Sequence, residues 1–126
     1  MSTSIKTVRL TTAQALVRFL VSQYMMQDDG TELPLFAGVW AIFGHGNVAG
    51  IGEALYQVKQ QLPTYRGHNE QSMALAAIAF AKARQRQQVM VATTSIGPGA
   101  TNLVTAAGVA YVNRLPVLLV PGDVFA

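Results

Sequence analysis

Apolar residues follow two different spacings along the chain, and each spacing predicts a different element. Short runs in which nearly every residue is apolar are typical of strands buried on both faces. Such runs lie at residues 39–43, 89–93 and 116–120, with a weaker one at 62–66. Apolar residues at helical spacing occupy the segments 47–60, 69–86 and 99–113. Strands that alternate with helices predict an α/β fold with a three-layer, doubly wound parallel sheet.

The N-terminal part of the chain predicts one further helix and then a loop or short hairpin. Thr11 and Gln14 have the spacing of a capping box, and apolar residues follow at helical spacing to about residue 26. The next segment, 27–38, is rich in Asp, Gly and Pro, which favour turns.

Three polar loops follow the ends of the predicted strands, at residues 44–47, 67–71 and 94–102. In a doubly wound sheet, ligands bind beyond the carboxyl ends of the strands. We therefore expect Gly44, Gly67 and Thr94 to lie at one edge of the sheet.

The composition indicates a chain with extensive interfaces. Apolar residues make up 51% of it and charged residues 12%, against a usual charged share of about 25%. Basic residues give a net charge of +3 but are mostly scattered. Only Lys82, Arg84 and Arg86 cluster, at a predicted helix end where they would offset the terminal carbonyls, so nucleic-acid binding is not indicated.

The chain has no cysteine, which excludes disulfides, thiolate metal sites and a cysteine nucleophile. No apolar run approaches the roughly 18 residues of a membrane span, and the first residues lack the apolar core of a signal peptide. From these features we expect a soluble cytoplasmic protein.

One glycine-rich segment is compatible with more than one class of function. Residues 44–49 read Gly-His-Gly-Asn-Val-Ala and satisfy the G-x-G-x-x-G/A pattern of dinucleotide-binding folds. In that alternative, Arg66 at the end of a strand would suit a 2′-phosphate. A tight strand-to-helix turn without any ligand explains the glycines equally well. A nucleotide-binding or regulatory domain therefore stands beside an enzyme as a possibility.

The remaining polar candidates also have structural explanations. Glu70 follows Asn69, a favourable N-cap, and a first-turn Glu most often offsets the helix dipole. The glycines of loop 94–102 could expose backbone N–H groups to an anion or a polar ring edge, or form a rigid start to a helix. His45 and His68 lie in loops, where histidine is more often solvated than catalytic. The sequence shows no carboxylate pair, metal-ligand cluster or serine nucleophile motif.

Three segments together resemble the pyrimidine-binding domain of acetolactate-synthase-like thiamine diphosphate enzymes. They are residues 43–46 (Phe-Gly-His-Gly), residues 69–71 (Asn-Glu-Gln) before an alanine-rich helix, and residues 94–102 (Thr-Ser-Ile-Gly-Pro-Gly-Ala-Thr-Asn). Residues 45–47 (His-Gly-Asn) depart from the Gly-x-Pro-Gly that is usual in this superfamily. That departure and the additional Ile96 are similar to one branch, the C–C bond hydrolases that open a cyclic dione in myo-inositol catabolism.

The resemblance implies that residues 1–126 form a single N-terminal pyrimidine-binding domain, incomplete at its C-terminus. The central and diphosphate-binding domains, with the ligands for magnesium, would lie outside this chain. The parent enzyme would bind thiamine diphosphate, magnesium and a cyclic dione as a homodimer or larger assembly, and this chain alone would be inactive. The alternative within the superfamily is an acetolactate-synthase-like carboligase or decarboxylase.

The resemblance also assigns roles to particular residues. Glu70 would hydrogen-bond ring nitrogen N1′ of the cofactor and so make the cofactor's own 4′-amino group a base. Backbone contacts to the aminopyrimidine would come from Gly46, Asn47 and Thr94. His45 and Gln71 would face the substrate.

Overall fold

Four parallel strands form the central sheet of the protein, which the computed structural model describes from residue 7 to residue 123. In chain order the elements are α1 (Thr12–Val21), β1 (Tyr24–Met26), β2 (Glu32–Pro34), β3 (Phe36–Ala41), a π-helical turn (Val48–Gly52), α2 (Glu53–Gln57), β4 (Thr64–Arg66), α3 (Glu70–Ala83), β5 (Val89–Thr94), α4 (Pro98–Thr101), α5 (Val104–Asn113) and β6 (Leu118–Pro121).

The strands lie in the order β4-β3-β5-β6, and every neighbouring pair is parallel. β5 is central, and all six of its residues are buried, which explains why it is a continuous apolar run in the sequence. The predicted parallel sheet is therefore confirmed, with strand bounds that shift by a few residues from the predicted ones.

Helices cover both faces of this sheet. On one face, α1 and α2 pack Val17, Leu20 and Leu55 against Val39 and Val91. On the other face, α3, α5 and the turn before α5 pack against Ala92 of β5 and form a second core, whose other buried residues are Ala74, Ile78, Leu103, Ala106 and Ala110. The three layers of the predicted doubly wound architecture are confirmed.

The predicted hairpin is confirmed, but the helix before it is shorter than predicted. The capping box of Thr11 and Gln14 is present, and α1 then ends at Val21. Tyr24–Met26 continues the helical spacing in sequence but pairs with Glu32–Pro34 as an antiparallel strand, because tertiary pairing overrides local propensity. The Thr31 hydroxyl and N–H donate to the Asp29 carboxylate at the turn and lower the pKa of Asp29.

Two of the predicted helices are interrupted. Segment 47–60 forms a π-helical turn and the short α2, because Gly50 and Gly52 weaken a regular α-helix. Segment 99–113 is divided into α4 and α5, which are separated by a turn at Asn102 and Leu103.

The basic residues at the end of α3 lie near the ends of two helices rather than one. Lys82 lies in the last turn of α3, as predicted. Arg86, however, has left-handed backbone geometry (φ 65°) and donates through Nε to the carbonyl of Arg114, the C-cap residue that follows α5. The prediction that all three residues offset the end of α3 is therefore wrong for Arg86.

Among residues 7–123, no helix has the length and apolar character needed to cross a membrane.

Candidate functional site

The carboxyl ends of the strands bring the three polar loops to one edge of the sheet. In the register of the sheet, Ala41 at the end of β3 lies beside Arg66 of β4 and Thr93 of β5. The loops that follow these strands therefore start side by side. This arrangement confirms the prediction that Gly44, Gly67 and Thr94 share an edge.

Asn47 holds the first loop against the third. It is 3% exposed, and its side-chain Nδ2 donates to the carbonyl of Thr94 at 2.6 Å. Its Oδ1 accepts from the backbone N–H of Gly44 at 2.9 Å. Gly122 N–H also donates to the Thr94 carbonyl, at 2.9 Å. A single buried carbonyl thus anchors both the first loop and the segment after β6.

Close approach of these loops requires glycine at two positions. A Cβ atom on Gly44 would collide with the side chain of Ser95 in the third loop. Gly46 has a φ of +84°, which other residues rarely adopt, and a Cβ there would lie 2.5 Å from the carbonyl oxygen of Asp123. The glycines of this loop therefore serve packing between loops.

The side chains of Asn47 and Thr94 are occupied by contacts inside the protein. The Thr94 hydroxyl donates to the carbonyl of Ser95 at 3.0 Å, and the Thr93 hydroxyl donates to that of Val120 at 2.8 Å. Since the Thr94 carbonyl already accepts two hydrogen bonds, this part of the site is a rigid frame. Cofactor contacts from Gly46, Asn47 and Thr94 stay a prediction.

Glu70 is the first residue of α3, and its carboxyl lies against the third loop. Asn69 caps the helix by accepting from Ser72 N–H at 2.9 Å, which leaves the Glu70 side chain free of that task. Oε2 of Glu70 accepts from Nδ2 of Asn102 at 2.9 Å. Oε1 faces Gly99, where an added Cβ would lie 3.2 Å from that oxygen.

An open cleft of about 690 Å³ exposes this carboxyl. Its lining comes from the start of α3, from α4 and from the start of α5, and consists of Glu70, Pro98, Gly99, Thr101, Asn102 and Thr105. A larger hollow of about 920 Å³ lies at the other end of α5, but its lining is mostly apolar and includes no acidic side chain. The cleft at Glu70 is therefore the better candidate for chemistry.

Three backbone N–H groups of the third loop are occupied by bonds within that loop. The N–H groups of Gly99, Thr101 and Asn102 donate to the carbonyls of Ile96, Gly97 and Pro98, respectively. These bonds support the structural explanation of this segment, a rigid start to a helix.

The other sequence candidates lie around the same edge. His45 and His68 are exposed, and Gln71 is half-buried in the first turn of α3. No group of three His, Cys, Asp or Glu residues that could hold a metal ion occurs in the part of the chain that the structure describes. Sequence reasoning missed the contact of Asn102 with Glu70, although Asn102 ends the motif in the third loop.

Comparison with known proteins identifies close relatives. Residues 10–126 match the family described as "Thiamine pyrophosphate enzyme, N-terminal TPP binding domain". The chain is 58% identical over 120 residues to 3D-(3,5/4)-trihydroxycyclohexane-1,2-dione hydrolase from Geobacillus thermodenitrificans, with 95% of this chain covered. It is 54% identical over 121 residues to the protein of the same name from Bacillus thuringiensis, with 96% covered. The chain spans 19% of the length of each relative.

We expect Asn47→Ala to destabilise the protein by about 1–3 kcal/mol, because it removes the buried hydrogen bond to the Thr94 carbonyl and leaves the half-buried Gly44 N–H without its side-chain acceptor. Asn113→Ala is the matched control, since its amide donates to Val109 on an exposed helix surface. Urea unfolding of both variants measures the difference. Equal urea midpoints for the two variants would contradict a stabilising role for the Asn47 side chain.

Proposed function

Since this chain belongs to the thiamine pyrophosphate enzyme family, as an N-terminal TPP binding domain, we propose that it supplies the aminopyrimidine side of a thiamine diphosphate site. Glu70 is the residue proposed to contact the cofactor, at ring nitrogen N1′. The observation that carries this proposal is the position of the Glu70 carboxyl in an open cleft at the shared edge of the sheet.

Two features of the Glu70 carboxyl are compatible with a flat ring beside it. A carboxylate can accept several hydrogen bonds, and Oε2 has one from Asn102. Oε1 faces a glycine, and a side chain at that position would press against this oxygen. Space for a ligand beside Oε1 therefore depends on the missing side chain of Gly99.

The proposed role of Glu70 is to hold a proton at N1′ of the cofactor. Thiamine diphosphate, when bound, supplies a nucleophilic thiazolium carbon whose proton is removed by the cofactor's own 4′-amino group. A carboxyl group hydrogen-bonded to N1′ favours the form of the ring in which that amino nitrogen acts as a base. We thus propose that Glu70 positions the cofactor ring and exchanges a proton with N1′.

The diphosphate and magnesium need ligands that we assign to other parts of the whole protein. Magnesium binds oxygen ligands from carboxylates and phosphates, and the described part of this chain has no cluster of suitable residues. We therefore propose that the catalytic centre is completed by further domains.

For the whole protein we propose hydrolysis of a C–C bond in 3D-(3,5/4)-trihydroxycyclohexane-1,2-dione, giving 5-deoxy-glucuronate in myo-inositol catabolism. The names and the identity of the relatives support this substrate. His45 and Gln71 are the side chains proposed to face it. We also propose a cytoplasmic location, which fits a chain without cysteine and is tested by fractionation of the source cells.

The outer surface of α5 is the interface that we propose for a second subunit. Val104, Tyr111 and Val112 are 65%, 84% and 74% exposed, respectively. Large apolar side chains grouped on one helix mark surfaces that become covered in an assembly. The low charged content of the chain agrees with a homodimer.

In the whole protein, Glu70→Gln should lower kcat by about 10² to 10⁴-fold, because it removes a carboxyl that exchanges a proton while preserving side-chain size. Turnover at saturating thiamine diphosphate and magnesium measures the effect. The matched control is Glu53→Gln, since Glu53 also lies in the first turn of a helix but is exposed on α2.

The control variant should retain wild-type kcat. Wild-type turnover in Glu70→Gln, or turnover that does not require thiamine diphosphate, would exclude the proposed role.

The 126-residue chain should self-associate through α5, and Tyr111→Ser should weaken that association by about tenfold or more, because one buried apolar side chain contributes about 1.5–3 kcal/mol. Sedimentation equilibrium measures the dissociation constant. Tyr56→Ser is the control, because Tyr56 is also 70% exposed but lies on α2. An equal effect of both substitutions, or a monomer at all concentrations, would exclude this surface.

A further inference from the structure

We propose that Asn102 is a positioning residue that aims the carboxyl of Glu70 into the cleft. The proposal rests on the function assigned to Glu70 above and extends it to a residue in a different loop.

The two residues meet from elements that are fixed independently. Glu70 lies at the start of α3, which Asn69 caps. Asn102 lies at the end of α4, where its backbone N–H donates to the Pro98 carbonyl at 2.9 Å. The side-chain hydrogen bond of 2.9 Å therefore joins two rigid segments, and it fixes the rotation of the carboxyl group.

This contact has the geometry of a good hydrogen bond. Both side chains are half-buried, and the distance of 2.9 Å is the usual one for an N–H group that donates to oxygen. Within residues 7–123, Asn102 supplies the one hydrogen bond that reaches the Glu70 carboxyl. The orientation of the carboxyl thus depends on this amide.

The two carboxyl oxygens have different surroundings. Oε2 is held by Asn102, whereas Oε1 faces the bare backbone of Gly99. Asn102 thereby leaves Oε1 as the oxygen available to a ligand in the cleft.

A neutral amide suits a carboxyl that exchanges a proton. A lysine or arginine in this place would favour the charged carboxylate strongly. An amide adds no formal charge to the cleft, and it can donate to a carboxylate or, when rotated, accept from a carboxylic acid. Asn102 can therefore hold Glu70 in both protonation states.

Four variants of the whole protein separate hydrogen bonding from packing: Asn102→Ala, Asn102→Asp, Asn102→Gln and the control Gln23→Ala, which removes an amide that donates to the Phe19 carbonyl at 3.0 Å, away from the cleft and from α5. We expect Asn102→Ala to lower kcat by about tenfold to a hundredfold, with the substrate KM changed by less than about threefold. Asn102→Asp should be at least as damaging although it preserves size, because it places a carboxylate beside Glu70. Asn102→Gln keeps the donor and should recover kcat to within about tenfold of wild type.

A second readout does not depend on cofactor or turnover. In the 15N-labelled 126-residue chain, Glu70→Ala should shift the side-chain NH₂ signals of Asn102 and leave those of Asn113 unchanged. Unmoved Asn102 signals would overturn the contact, and this measurement stays decisive if Asn102→Ala fails to fold.

The outcomes distinguish this inference from the proposed function. If Glu70→Gln is inactive but Asn102→Asp behaves as wild type, Asn102 fills space only, and the inference fails while the function of Glu70 stands. If Glu70→Gln is fully active, both are overturned. Loss of activity in Gln23→Ala equal to that in Asn102→Ala would also overturn the inference.

Discussion

The carbonyl oxygen of Thr94 is the acceptor on which the arrangement of the site depends. It lies at the end of the central strand and accepts hydrogen bonds from Asn47 in the first loop and from Gly122 after β6. A buried carbonyl with two donors is fully satisfied. Moving the first loop or the segment after β6 away from it would leave the amide of Asn47 or the N–H of Gly122 without its acceptor. The first loop is therefore fixed relative to the third, and the third loop in turn carries the residue that contacts Glu70.

Neutral amide side chains connect the loops. Asn47 joins the first and third loops, and Asn102 joins the third loop to the start of α3. Contacts between loops that are made by neutral amides agree with a chain in which charged residues make up 12% of the sequence. Hydrogen bonds of amides depend less on salt than exposed ion pairs do. The Glu70 carboxyl is thus held in place by a neutral amide.

Much of the fold follows from the sequence pattern, because two spacings of apolar residues distinguish buried strands from helices. Once the strands are parallel, their carboxyl ends share an edge, and the common position of Gly44, Gly67 and Thr94 follows from topology alone. The ends of individual elements were harder to predict, since Tyr24 fits helical spacing but pairs in a strand. Segment 47–60 is divided into a π-helical turn and α2 at Gly50 and Gly52. The spacing of apolar residues does not show where such an interruption falls.

The site itself was only partly accessible from the sequence. Glu70 was found through its resemblance to a family motif, and its contact with the cofactor stays a prediction. Its contact with Asn102 could not be predicted, because 32 positions separate the two residues and their meeting depends on the turn between α4 and α5. The predicted backbone contact of Asn47 with the cofactor stays a prediction, and the structure adds a task for its side chain, which joins two loops.

NMR titration of the 15N-labelled chain with thiamine tests most directly whether the cleft at Glu70 receives an aminopyrimidine ring. One hydrogen bond to a carboxylate contributes about 1.5–3 kcal/mol, less than the association cost of at least about 4 kcal/mol, so we expect binding no tighter than about 1 mM. The backbone amide signals of Glu70, Gly99 and Asn102 should shift together as thiamine is added, and Glu70→Gln should reduce these shifts. Shifts confined to the apolar hollow beside Tyr111, or no shift at Glu70 when other residues saturate, would contradict the account.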